Sequence, residues 1–221
     1  MYRVLPHKLK AIRRHFGSRP FRFLDIGAGN HSATLAKHWF PNCHYTGVDR
    51  ERDYNNSPDD FAAMDAFVEM DLEKLDYSAL PDAGYDAILM AHVVEHLNNG
   101  DEVVRALAPK LAPGGIFCLE FPGRRSPHLP SCKGTLNFYD DDTHVRLYTH
   151  EEIASILVER GLRIERQGTR RDWLHLLLTP LHAFKAKQVH GYVPGGVFWD
   201  LFGFAEEVFA VRPAGGPGAR G

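Results

Sequence analysis

Short apolar runs alternate with amphipathic segments along most of this chain. Apolar runs with the length and composition of β-strands cover residues 21–26, 43–48, 66–70, 85–91, 116–121, 162–167 and 205–211. Between them, apolar positions recur at helical spacing in residues 6–16, 32–40, 101–111 and 149–160. This alternation predicts a doubly wound α/β sheet, mostly parallel, with right-handed crossovers and helices on both faces.

Local signals set several boundaries of these elements. Thr149 with Glu152 three residues later forms a capping box at the start of a helix. The Pro-Gly-Gly sequence at 113–115 is expected to end the helix over residues 101–111. Residues 172–203 are apolar and aromatic, and Pro180, among other breakers, is expected to interrupt them.

The chain shows no internal repeat and no linker long enough to separate domains. Its 221 residues therefore predict a single domain over residues 1–212. We expect an N-terminal helix within 1–16, substrate or lid segments at 122–148 and 172–203, and a flexible tail at 213–221.

Composition narrows the class of protein. Apolar residues make up 44% and charged residues 24%, and the net charge of −2 argues against a nucleic-acid partner. Cys43, Cys118 and Cys132 are odd in number and widely spaced, which favours a reducing compartment. No run approaches the roughly 18 apolar residues of a membrane span. We expect a cytoplasmic enzyme, as a monomer or homodimer.

The first strand carries the strongest functional signal. Asp25 lies near the end of the strand, and Gly27 and Gly29 follow it directly. Glycine lets backbone N–H groups approach a ligand closely, because it has no Cβ and tolerates positive φ. Asp49 ends the second strand, where an acid can accept both hydroxyls of a ribose. These features indicate half of a nucleotide-type site.

Two residues decide which nucleotide fits. A dinucleotide site requires a third glycine where this chain has Ser32. The carboxylate of Asp25 would repel a pyrophosphate, but it suits a ligand with an ammonium group and no phosphate. S-adenosylmethionine (SAM) has this character, whereas a nicotinamide cofactor does not.

At these residues the sequence resembles the class I, seven-stranded SAM-dependent methyltransferases, in particular the type 11 branch acting on small molecules. The resemblance covers roughly residues 20–170 and the last strand, and its motifs are residues 24–29, 47–49, 70–72, 91–96 and 111–115. It implies the strand order 3-2-1-4-5-7-6, with the seventh strand antiparallel. The chain departs from the pattern at His31, where many members have a further glycine.

The resemblance also implies contacts to the methionine half of SAM. Asp25 would orient the glycine turn and sense the amine of SAM, directly or through water. Gly27, Ala28 and Gly29 would let the backbone approach, and the carbonyl of Ala91 would lie by the sulfonium.

The adenosine half would meet a second group of residues. By the same resemblance, Asp49 would accept the ribose hydroxyls and Arg50 would flank the adenine. Asp71 would accept a hydrogen bond from the adenine amino group, with Met70 and Leu72 lining the ring.

Residues 92–96 also match H-x-x-E-H, the inverted zinc-protease signature. Such a zinc site requires the motif inside a long helix and a third ligand downstream. Here the motif directly follows a strand, so His92 is expected in a loop facing the cleft, and we predict no bound metal. Local hydrogen bonding by Glu95 and His96 is the expected alternative.

A second polar cluster spans residues 140–146. In an extended chain His144 and Asp142 point to one side, so they form a candidate catalytic pair in which His144 takes the substrate's proton. The alternatives are a solvated acidic turn and a divalent-metal site, for which matching ligands elsewhere are missing.

These observations predict transfer of the SAM methyl to a hydroxyl oxygen of a small molecule or glycan, with His92 and His144 as candidate bases and S-adenosylhomocysteine as product. N- or C-methylation stays open, as does a SAM-binding partner module without catalysis. The least regular segments shape the acceptor site, so the acceptor itself is not predicted.

Overall fold

The computed structural model describes residues 4–215. Its centre is a seven-stranded sheet with the order β3-β2-β1-β4-β5-β7-β6. The strands are β1 Arg22–Ile26, β2 His44–Asp49, β3 Ala66–Glu69, β4 Tyr85–Ala91, β5 Leu111–Pro122, β6 Arg163–Thr169 and β7 Ala205–Val211. Neighbours among β1–β5 are parallel, and β7 runs antiparallel to both β5 and β6. The predicted fold class and strand order are confirmed.

Helices cover both faces of the sheet. They are α1 His7–Phe16, α2 Ser32–Trp39, α3 Pro58–Ala63, α4 Gly100–Leu107, α5 His150–Glu159, α6 Trp173–His190 and α7 Trp199–Phe202. Successive side chains of β1 point to opposite faces of the sheet, so the core has two layers. Leu24 packs into the layer under α4 and α5, whereas Phe23 packs into the layer under α1 and α2. A central strand with both faces covered explains why β4 has almost no polar residue.

The junction between α4 and β5 differs from the prediction. The helix ends at Leu107, four residues early, and a 3₁₀ turn leads into β5, which begins at Leu111. Tyr85 of β4 pairs with Leu111, but Ala87 pairs with Ile116, so the Pro-Gly-Gly residues form an irregularity inside the strand. Pairing with β4 on both sides of that irregularity extends the strand beyond its apolar pattern.

The prediction that Pro180 interrupts residues 172–203 is wrong. Helix α6 runs unbroken through Pro180, which is exposed and so meets no packing obstacle. The hydroxyl of Thr179 donates to the carbonyl of His175 at 2.9 Å, whereas proline removes the N–H that would bond to the carbonyl of Leu176. Asp172 caps the helix by accepting from the His175 N–H.

The predicted N-terminal helix is present as α1. Residues 1–3 and 216–221, including most of the predicted tail, lie outside the described residues. Within residues 4–215, none of the helices has the length and apolar character needed to span a bilayer. The domain boundaries, the cytoplasmic location and the oligomeric state stay predictions.

Candidate active site

The carboxyl ends of four neighbouring strands bring the predicted cofactor residues to one edge of the sheet. Ile26 pairs with Val48 of β2 and with Met90 of β4, so the ends of β1, β2 and β4 are level. Asp49 pairs with Glu69 at the end of β3. In open α/β sheets this edge forms the ligand crevice.

The glycine turn after β1 packs tightly against the chain itself. Gly27 has φ +78°, and its N–H donates to the Val48 carbonyl at 2.8 Å. A Cβ on Gly27 would lie 2.4 Å from Cγ2 of Val93, and one on Gly29 would lie 2.6 Å from Cδ1 of Tyr54. The N–H of Ala28 donates to the same Val48 carbonyl at 3.1 Å. Both glycines are therefore required by close packing.

Asp25 is buried beneath this turn, with 2% of its surface exposed. Its Oδ2 accepts hydrogen bonds from the hydroxyls of Ser32 at 2.5 Å and Tyr45 at 2.6 Å. Burial raises the pKa of this carboxyl, outweighing the two hydroxyl bonds. The bonds fix the start of α2 against β1, in agreement with a positioning role, while contact with a SAM amine stays a prediction.

The predicted adenosine residues occupy the tips of β2 and β3. The carboxylate of Asp49 is partly exposed and accepts from the Glu51 N–H at 3.2 Å. Asp71 is also partly exposed and caps the following 3₁₀ turn. Met70 and Leu72, which flank Asp71, are buried against the core, and the exposed Arg50 pairs with Glu51 at 3.5 Å. The predicted contacts of all these residues with the adenosine stay predictions.

His31 has the left-handed backbone conformation that glycine adopts most easily. Its φ is +59°, and the preceding Asn30 is also left-handed at φ +52°. Its Nδ1 lies 2.6 Å from Oδ2 of Asp60 on α3, so the ring points to α3. Asp60 is fully buried, and it also accepts from the hydroxyls of Ser57 and Thr34.

His92, directly after β4, connects two buried carboxylates. Its φ is +56°, and its backbone N–H donates to the Glu120 carbonyl at 2.8 Å. The ring nitrogens lie 3.2 Å from Oε1 of Glu95 (Nδ1) and 3.2 Å from Oε1 of Glu120 (Nε2). Burial lowers the pKa of His92, but the bonds to both carboxylates outweigh it and raise the pKa to about 9. The two carboxylates therefore favour the protonated ring, and the role of His92 as a base stays a prediction.

A cavity of about 390 Å³ opens beside His92. Its wall combines apolar and charged side chains from the first turn of α1, from β5, from α6 and from α7, and includes Leu5, Glu120, Arg170, Leu178 and Trp199. The Trp199 ring lies 4.7 Å from the His92 ring. Both Leu5 and Leu178 belong to segments where sequence patterns were least informative.

Glu120 is the central charged group of this wall. Its Oε1 accepts from the Arg170 guanidinium at 2.8 Å, and Arg170 also binds Asp200 at 2.8 Å. Burial raises the pKa of Glu120, but Arg170 and His92 outweigh it and lower the pKa to about 2. Its Oε2 is buried and has no hydrogen-bond partner among the described residues. An acid at the end of the apolar run 116–121 was the available signal for Glu120, whereas nothing local marks Arg170.

The predicted pair of His144 and Asp142 is not formed. Residues 138–143 form a 3₁₀ turn and bends, so the extended geometry behind the prediction is absent. Asp142 is exposed, and the carboxylates nearest His144 Nε2 are Asp141 at 3.9 Å and Glu95 at 4.0 Å. His144 is thus near a different acid, and its role as a base stays a prediction.

The strand order, the glycine turn and the acids at the strand tips together define a methyltransferase of the class I, Rossmann-like fold. A family model described as a methyltransferase domain matches residues 2–167, about three quarters of the chain. The chain belongs to this methyltransferase-domain family. The predicted class of enzyme is confirmed.

Solved structures agree on the fold. A SAM-dependent methyltransferase from Archaeoglobus fulgidus is 21% identical, with a TM-score of 0.61 over 92% of this chain and 90% of that one. The 1,6-didemethyltoxoflavin-N1-methyltransferase of Burkholderia thailandensis, solved with S-adenosylhomocysteine, is 16% identical, with a TM-score of 0.59 over 95% and 78%. The CurJ carbon methyltransferase is 18% identical, with a TM-score of 0.57 over 89% and 50%.

A search of curated proteins finds no match. The predicted cofactor, SAM, agrees with the structures compared, which transfer methyl groups to different kinds of atom. The acceptor of this chain therefore has to be inferred from its own cavity.

Proposed function

We propose that this chain transfers a methyl group from SAM to a hydroxyl oxygen of a small molecule or glycan. The observation that carries the proposal is Glu120, which lines the cavity and whose buried Oε2 lacks a hydrogen-bond partner among the described residues. A buried carboxylate oxygen left unsatisfied is costly, so it favours a ligand that donates a hydrogen bond.

The strand tips fit SAM better than a phosphate-bearing cofactor. Carboxylates at Asp49 and Asp71 offer acceptors for a ribose and an amino group, and the tight glycine turn lies beside them. When bound, SAM supplies a methyl group activated by its sulfonium. The product left behind is S-adenosylhomocysteine.

The residues of the cavity would orient the acceptor. His92 and Arg170 both bind Oε1 of Glu120, which leaves Oε2 to accept the hydroxyl hydrogen of the acceptor. Holding the hydroxyl oxygen in line with the methyl converts an encounter into an intramolecular step, an effect worth about 7–11 kcal/mol in favourable cases. The proton leaves the hydroxyl as the new oxygen–carbon bond forms and passes to solvent, because a carboxyl with a pKa of about 2 holds a proton poorly.

N-methylation is the second candidate, because an amine N–H donates to the same carboxylate oxygen. Methylation at carbon is disfavoured, since a C–H group leaves Oε2 without a strong donor. The identity of the acceptor atom is therefore the property that an experiment must measure.

The test uses SAM carrying a ¹³C-labelled methyl group, incubated with the purified chain and fractionated small-molecule and glycan extracts. O-, N- and C-methyl carbons have separate chemical shifts, so the labelled product identifies the atom. A labelled O-methyl signal that requires the chain supports the proposal. An N-methyl or C-methyl product overturns the choice of oxygen. Binding of SAM without any labelled product across the extracts favours a binding module that does not catalyse transfer.

A further inference from the structure

A second polar cluster lies behind His92 and includes three residues from two separate segments. Glu95 and His96 end the 3₁₀ turn that follows β4, and His144 belongs to the loop before α5. Their ligand-type atoms all lie within 4.8 Å of one another. The backbone N–H groups of Val145 and Arg146 donate to the Glu95 carbonyl at 2.9 and 3.2 Å, and so join the two segments.

The hydrogen bonds of the two imidazoles determine which nitrogen is available. Nδ1 of His144 lies 2.6 Å from the Phe138 carbonyl, and Nδ1 of His96 lies 3.2 Å from the Thr143 carbonyl. A carbonyl oxygen only accepts, so both Nδ1 atoms carry the hydrogen. In the neutral rings, both Nε2 atoms therefore keep a free lone pair. Metal-binding histidines typically donate their second nitrogen to a carbonyl in this way.

Glu95 completes the set as an acid that has no arginine or lysine to neutralise it. It is 1% exposed, and its Oε2 is buried without a hydrogen-bond partner among the described residues. Within residues 4–215 its ion-pair partners are only His92 and His144. His92 already faces Oε1 at 3.2 Å, so Oε2 is the oxygen that is left to bind a further cation.

Two similar clusters differ in this respect. In the group around His7, Glu207 pairs with Arg166 at 2.7 Å and Glu120 pairs with Arg170. In the group around His150, both carboxylates pair with an arginine as well. Guanidinium groups already occupy the place of a cation there, which singles out the cluster of Glu95.

We propose that Glu95, His96 and His144 bind a divalent transition-metal ion of the zinc class. Two nitrogens and one carboxylate oxygen form a donor set that suits Zn²⁺. Ligands about 2.0–2.1 Å from a tetrahedral ion lie about 3.4 Å apart, so the three atoms, which lie within 4.8 Å of one another, must move closer together when the ion binds. The carboxylate of Asp141 lies 3.9 Å from His144 Nε2 but outside the group of three, so a water molecule would complete the coordination.

The ion would cross-link the loop over residues 138–146 to the turn after β4. Glu95 and His96 come from the H-x-x-E-H sequence, but His92 of that motif instead binds Glu95 and Glu120. The second histidine ligand comes from His144, which only the tertiary structure brings close. Glu95 contacts His92 of the acceptor cavity, so the test measures metal binding directly and does not use methyl transfer.

The test uses the untagged, full-length chain after removal of metals. Co²⁺ replaces Zn²⁺ in tetrahedral sites and gives visible absorption bands, so titration reports geometry and stoichiometry together. We expect one equivalent of Co²⁺ with tetrahedral bands, displaced by Zn²⁺, and a Zn²⁺-dependent rise in Tm. Absence of both the bands and the Tm rise in the unmodified chain overturns the proposal.

Variants separate the cluster from adventitious binding. His96→Ala combined with His144→Ala should weaken binding by more than the 10–100-fold that loss of an outer-shell partner costs. His44→Ala, at an exposed position on β2, is the matched control and should bind normally. Unchanged affinity in the double variant contradicts the assignment. If the double variant does not fold, Glu95→Gln removes the charge and keeps the shape of the side chain. The Co²⁺ absorption bands of this variant should then be weakened.

Discussion

Nε2 of His92 lies 3.2 Å from Oε1 of Glu120, across the ends of two neighbouring strands. The register of β4 and β5 creates this contact, because Ala91 pairs directly with Glu120 and His92 follows Ala91. His92 then takes a left-handed backbone conformation that returns its N–H to the Glu120 carbonyl. One oxygen of Glu120 is thereby occupied, whereas the other is buried without a partner among residues 4–215, in a residue that lines the cavity.

We expect Glu120→Gln to lower kcat/KM for the acceptor by about 10–100-fold, because the acceptor loses a hydrogen bond to a charged group. Titration calorimetry should give nearly unchanged SAM affinity, because the cavity that Glu120 lines includes none of the predicted SAM-contacting residues. Glu165→Gln, at an exposed position on β6, is the control and should keep full turnover. Full turnover in Glu120→Gln would show that its free oxygen does not orient the acceptor.

Asp49→Asn should weaken SAM binding by about 10–100-fold, since an amide accepts hydroxyl hydrogens less strongly than a carboxylate. The measurement is calorimetric titration with SAM and with S-adenosylhomocysteine, which share the ribose. Both ligands should lose affinity equally. Asp53→Asn, exposed in the following loop, serves as the control. A variant that binds both ligands as the unmodified chain does would remove Asp49 from the cofactor site.

Asp60→Asn tests the acid that joins α2 and α3. Burial raises the pKa of Asp60, but bonds from Ser57, Thr34 and His31 outweigh it and bring the pKa far below its usual value. A lowered folded pKa stabilises the protein above the unfolded value of about 3.9, and this stabilisation is lost as the pH falls below that value. We expect the free energy of unfolding to drop by about 1–2 kcal/mol at pH 7, a typical cost for losing a cap.

Urea denaturation at several pH values measures this effect. The difference between the unmodified chain and Asp60→Asn should be constant from pH 7 to about 5 and should shrink below about pH 4. A difference that stays the same down to pH 3 would mean that the charge of Asp60 contributes little.

Pro180→Ala should stabilise α6. Proline inside a helix removes one backbone hydrogen bond, and its effect on the unfolded chain offsets only part of this cost. Because Pro180 is exposed, alanine removes no buried contact. We expect a gain of about 1–2 kcal/mol, read as a rise in Tm of about 2–8 °C. A lower Tm would indicate that the proline ring makes a contact that α6 needs.

Sequence patterns were sufficient for the parts of this protein that local chemistry controls. The strand β4 was predicted with its observed ends. A run with almost no polar residue is stable only as a strand that is covered on both faces of the sheet. The capping box at Thr149 starts α5 where expected, since both of its bonds lie within four residues.

Tertiary contacts decided the rest. Pairing with β4 lengthened β5 past its Pro-Gly-Gly sequence, and exposure let α6 continue through Pro180. The same holds for the cavity and the second cluster, where Arg170 reaches Glu120 from 50 residues away and His144 reaches Glu95 across a loop.

The sequence by itself determined the class of enzyme, because an apolar strand, a glycine turn and an acid form a signal within a few residues. Only the tertiary structure decided which carboxylate faces the cavity and which histidines share an acid. Such pairs depend on strand register and on the path of the loops, and neither of these produces a periodic pattern in the sequence.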